Sequence, residues 1–68
     1  MDSDMRYAID KIKRQRILKG WSQSTLARKS KVPQTTVSSI EQRRTGHPKN
    51  ILALCKALGL DLDDLIVE

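Results

Sequence analysis

Apolar residues in this chain recur three and four positions apart, the spacing that places side chains on one face of a helix. Ala8, Ile9, Ile12 and Arg16 share such a face, with Ile17 beside them, and predict a first helix from about Met5 to Lys19. Leu26 and Ala27 lie on one face of a short second helix, from about Gln23 to Lys29. Val37 and Ile40 do the same for a third, from about Gln34 to Gln42, and Val32 plugs the turn between them. Ile51, Leu54, Cys55 and Leu58 form the stripe of a fourth helix, and Leu62, Leu65 and Ile66 belong to a short fifth. Helices of this length do not hold themselves together in water, so each must bury its stripe against the others.

The residues between the stripes punctuate them. Asp4 or Ser3 is placed to cap the first helix, behind a frayed end at Met1–Asp4. Gly20 ends that helix as a residue able to take positive φ, and Trp21 follows as an apolar anchor. Ser22 is a good N-cap for the second helix, though Thr25 three residues on completes no capping box. Ser30, Lys31 and Val32 make a turn, and Pro33 keeps Val32 out of the helical region. Arg43 to His47 is a polar loop with Gly46 as its flexible point. Pro48 opens the fourth helix, Gly59 closes it, and Asp61 stands where it caps the fifth. No strand-like alternation, hairpin dipeptide or internal repeat interrupts this pattern. It describes an all-α fold, a compact five-helix bundle forming a single domain over residues 1–68.

Composition narrows the function. One Cys and one His exclude an internal disulfide and leave no metal-ligand spacing, which fits a reduced, cytosolic setting. No apolar run approaches membrane-spanning length. From Arg6 to Lys49 twelve Lys/Arg stand against Asp10 and Glu41, a net of +10, whereas the overall charge is +5. Asp2 and Asp4 precede that stretch, a net of −2, and from Asn50 onward Lys56 faces Asp61, Asp63, Asp64 and Glu68, a net of −3. A basic body of this kind is built to meet a polyanion, or is simply a basic soluble bundle. Nothing in the chain pairs a nucleophile with a base or cradles a phosphate with glycines, so no enzyme, cofactor or small-molecule substrate is expected. His47 stands alone and reads as a loop residue.

The third helix carries the chemistry that duplex DNA requires. Gln34, Thr35, Ser38 and Ser39 face away from Val37 and Ile40. Gln pairs bidentately with adenine, Ser and Thr bond to several base edges, and the Thr methyl contacts a thymine methyl. A solvated face would also be polar, but Ser and Thr are mediocre helix formers, and an exposed face rich in them sacrifices propensity. Arg43, Arg44, Lys49 and Arg14 are candidates for phosphate contacts, which position a protein without reading sequence. Single-stranded binders use aromatic stacking platforms, and only Tyr7 and Trp21 are present.

The segment from Gln23 to Gln42 resembles the helix-turn-helix of lambdoid phage repressors, Cro proteins and the wider Xre-type bacterial regulators. The matching residues are Gln23 opening the first helix of the motif, small Ala27 at the crossing, Val32 after the turn, Val37 and Ile40 facing inward, and Glu41 at the close. The resemblance runs from about Arg6 to Ile66 and implies a lambda-repressor-like domain. It implies that Gln34, Thr35 and Ser39, with Ser38 as a fourth, reach base edges, and that Gln23 contacts phosphate and steadies the first base-reading residue. It makes the loop Arg43-Arg44-Thr45-Gly46-His47-Pro48-Lys49 a phosphate clamp. Lys49 falls where some relatives place a basic side chain in the minor groove, though a solvated lysine is an equal reading. Arg16 and Glu41 correspond to a family ion pair. Lys31 departs from the family, which usually has Gly there at positive φ; it either tolerates that strain, with a phosphate contact as a reason to keep it, or marks a different turn. Family members bind near-palindromic double-stranded DNA as homodimers, with contacts near the loop before the fourth helix and around Leu62, Leu65, Ile66 and Val67. The expectation is a DNA-binding transcriptional regulator, a repressor in the bacterial cytoplasm or phage-encoded. The alternative is an antitoxin or restriction-controller type interaction module of the same fold. The chain is either a whole Cro-sized protein or the N-terminal domain of a longer regulator.

Overall fold

A computed structural model describes residues 6–67. A two-residue strand β1 (Arg6–Tyr7) leads into four helices: α1 (Ile9–Leu18), α2 (Gln23–Ser30), α3 (Gln34–Arg43) and α4 (Pro48–Leu58). A single 3-10 turn (Leu62–Asp64) follows, then strand β2 (Ile66–Val67). The strands pair antiparallel, Arg6 opposite Val67 and Tyr7 opposite Ile66. The class is all-α with this one small clasp, and among the described residues there are four α-helices rather than five.

The expected fifth helix fails for want of length and a cap. Asp61 makes no side-chain capping bond. Only one tight turn forms, in which the Asp64 and Leu65 N–H groups donate to the Asp61 and Leu62 carbonyls at 3.0 and 2.9 Å. The chain then extends to reach β1. The same contact shortens the first helix. Ala8, its N-cap residue, donates its N–H to the Leu65 carbonyl at 2.6 Å, so residues 6–8 belong to the clasp and α1 begins at Ile9. Lys11 Nζ adds a bond to the Asp64 carbonyl at 2.8 Å. The cap expected at Asp4 or Ser3 and the frayed end lie outside the described residues.

Elsewhere the local signals act as their chemistry requires. Ser22 Oγ accepts the Thr25 N–H at 3.1 Å, and Gly20 and Gly59 take φ of 73° and 74° at helix ends. Pro33, φ −55°, precedes α3, and Pro48 begins α4. His47 serves as the α4 N-cap, its Nδ1 accepting the Lys49 N–H at 3.1 Å. Gly46 has a packing role as well. A Cβ there would lie 2.6 Å from Ile40 Cγ1, so the loop presses its backbone against the core and only glycine fits.

The core comprises Ile9 and Ile12 from α1, Leu26 and Ala27 from α2, Val32 from the turn, Val37 and Ile40 from α3, and Ile51, Leu54, Cys55 and Leu58 from α4. Leu65, which follows the 3-10 turn, completes it. α2 packs on both α3 and α4, and α1 closes over the same two helices. Trp21 is half-buried at the edge, with Lys19 Nζ and Lys29 Nζ 5.3 and 5.1 Å from its ring centre. Ile17 does not join the α1 stripe; it is 57% exposed, because Arg16 occupies the inward position at that turn.

Candidate nucleic-acid interface

α2 and α3 meet across a three-residue connection, Lys31 to Pro33. Lys31 adopts φ 60°, the left-handed conformation. This reverses the chain tightly enough for Val32 to drop into the core, with its N–H bonded to the Ala27 carbonyl at 3.2 Å. Burial of Val37 and Ile40 then fixes how α3 rolls. The opposite side of that helix faces outward and lines an open groove with Gln34, Thr35, Ser38, Ser39, Gln42 and Arg43. Gln23, the first residue of α2, forms the remaining wall.

The four residues proposed from the sequence as base readers therefore lie together, as does Gln23, while Arg43 reaches the same groove. The other basic candidates lie elsewhere. Arg14 and Arg44 line a separate groove with Asp10, Lys13, Ile17 and Leu18. Arg44 pairs there with Asp10 at 3.4 Å, both side chains about 70% exposed. Lys31, Thr45 and Lys49 are exposed and do not line the α3 groove. Gln42 was missed by sequence reasoning, which treated it as the end of the helix. The signal was present: Gln42 follows Ser38 by four and Ser39 by three, and α3 runs on to Arg43.

Behind the groove sits a polar cluster. Arg16 Nε donates to Glu41 Oε2 at 2.8 Å and its Nη2 to Oε1 at 3.0 Å. Arg16 Nη1 donates to the Trp21 carbonyl at 2.8 Å. The two ionic side chains are 11% and 2% exposed, so the pair is largely enclosed. Gln23 Nε2 donates to Glu41 Oε1 at 3.1 Å, which joins the cluster to the groove wall. Among the described residues no side-chain polar atom is buried without a partner, and no group of His, Cys, Asp and Glu is placed to hold a metal ion. No described helix is long and apolar enough to cross a membrane.

A short helix packed behind a tight turn, presenting the next helix with a polar outer face, is a helix-turn-helix. Residues 12–65 match the family model described as Helix-turn-helix, and the chain belongs to that family, the Xre-type or Cro/C1 class of DNA-binding regulators. No curated protein and no solved structure matches the chain.

Proposed function

We propose that the chain is a sequence-specific regulator of transcription, a repressor that binds a near-palindromic duplex operator as a dimer with α3 in the major groove. The observation that carries this reading is the convergence of Gln34, Thr35, Ser38, Ser39 and Gln42 on one outward face. That face belongs to a segment with twelve Lys/Arg against two acidic residues. An α-helix fits the major groove, and short polar side chains on its exposed face can bond to base edges there. Gln23 stands at the start of α2, where backbone N–H groups face outward and favour a phosphate. Arg43 and Lys49 add phosphate contacts on one flank, with Thr45 in the loop between them. Arg14, Arg44 and Lys31 act at longer range through their charge.

A single reading helix covers few base pairs, which favours a two-fold dimer on two half-sites. Leu62, in the 3-10 turn, and Ile66, in β2, are partly exposed and offer apolar contacts at that end of the domain. Leu65 is fully buried, so it supports that surface from within and does not belong to it.

A mobility shift with duplex and single-stranded probes at two salt concentrations tests the reading. Duplex binding should dominate and fall steeply with salt. Equal binding of both probes, or duplex binding insensitive to salt, would refute it.

A further inference from the structure

Glu41 is more heavily bonded than an ion pair requires. Arg16 satisfies its charge through two parallel hydrogen bonds, yet Oε1 accepts a further bond from Gln23 Nε2 at 3.1 Å. That bond leaves the core. It ends on a side chain that lines the α3 groove with Gln34 and Ser38. A carboxylate repels an amide oxygen and attracts an amide N–H, so Glu41 sets which way round the Gln23 amide sits. One N–H is turned back to Glu41; the second N–H and the oxygen remain for the groove. An exposed glutamine otherwise samples many rotamers and must lose that freedom on binding.

We propose that Glu41 is a positioning residue for the interface: it holds the Gln23 amide, from within the fold, in the orientation that offers its second N–H to a DNA phosphate. The inference rests on the DNA-binding reading above. Arg16 extends the same line of bonds to α1, so the groove wall is anchored to three helices through one enclosed carboxylate.

Two measurements test it. In the free wild-type protein, the side-chain amide of Gln23 should be rigid on the nanosecond timescale by NMR relaxation, compared with the exposed amide of Gln42. Equal mobility of the two would overturn the proposal without any variant being needed. The second is a cycle on duplex affinity. Arg16→Met with Glu41→Leu removes the carboxylate without stranding a charge, and is combined with Gln23→Ala; binding is read at a temperature where circular dichroism shows each protein folded. Gln23→Ala should weaken duplex binding roughly tenfold in the wild type, as for a hydrogen bond to a charged group. In the apolar-pair background it should cost about 2–10-fold less, the price of ordering one side chain. An equal loss in both backgrounds means that Glu41 does not act through Gln23, and leaves the DNA reading intact. A wild-type protein that fails to bind duplex at all removes both.

Discussion

Arg16 of α1 and Glu41 of α3 meet through two parallel hydrogen bonds of 2.8 and 3.0 Å, with 11% and 2% of their side chains exposed. Such a pair ties α1 to α3, but its value lies in not being broken. Removing one partner leaves the other charge in a poor dielectric. Glu41→Ala is therefore expected to cost about 3–5 kcal/mol, and Arg16→Met with Glu41→Leu distinctly less. Urea unfolding of the three proteins measures this. An unchanged midpoint for Glu41→Ala would mean that water already solvates the pair.

Gly46→Ala tests the loop between α3 and α4. The added methyl would stand 2.6 Å from Cγ1 and 3.0 Å from Cδ1 of Ile40, itself only 2% exposed. Ile40 is itself part of the packed core and has little room to yield, so overpacking should cost about 1–3 kcal/mol. A thermal midpoint equal to that of the wild type would show that the loop can lift away.

The contrast between these two sites shows what the sequence made legible. Arg16 stood out because a charge on an apolar stripe is a local anomaly. Gly46 gave no sign of its role, because a glycine in a polar loop looks the same whether it bends or packs. Ser22, Gly20, Pro48 and Gly59 marked helix ends through interactions with near neighbours, and the core stripes followed from periodicity. The clasp did not, since Ala8 and Leu65 are joined by a bond between distant parts of the chain that no local pattern encodes. The polar outward face of α3 was legible from Gln34 to Ser39 and was cut one turn short, because Gln42 was taken for the end of the helix.

Among the described residues, two with side chains take left-handed backbone conformations, Lys31 at φ 60° and Arg44 at φ 58°. Each ends a helix, donating its N–H to the Ala27 and Ile40 carbonyls respectively. A Cβ costs roughly 1–2 kcal/mol in that region, whereas glycine adopts it freely. Part of the relief on substitution is offset by the freer unfolded chain. Lys31→Gly should therefore leave the melting temperature unchanged or raise it. A fall of several degrees would show that the lysine side chain makes a stabilising contact worth more than its strain.

Cys55 lies wholly inside the core on α4. Burial raises its thiol above the ordinary value of 9.0, and the negative charges of Asp61 and Asp64 push the same way. The thiol is thus held neutral in the folded protein and titrates earlier when unfolded. Its contribution is intact below pH 9 and is lost as pH climbs above that value toward the raised folded one. Cys55→Ala should flatten this alkaline fall while lowering stability at neutral pH through the small cavity it leaves. Native alkylation should proceed only as fast as the domain opens. Rapid labelling at pH 7 would contradict the enclosed position.

Gln34 and Arg43 line one groove but should fail differently when removed. Gln34 opens α3 and is exposed, with an amide able to pair with both the acceptor and the donor of adenine in the major groove. Loss of that pairing removes discrimination at one position, so Gln34→Ala should cost about 1–3 kcal/mol on the preferred site and little on random duplex. Arg43 closes the same helix with a charge that suits any phosphate. Arg43→Ala should weaken preferred and random duplexes alike and reduce the slope of log affinity against log salt by about one. Titrating both variants against a selected site and a scrambled duplex at several salt concentrations separates the roles. If Gln34→Ala lowered both affinities equally, the face of α3 would be held against the backbone rather than the bases, and sequence preference would have to come from the shape of the DNA.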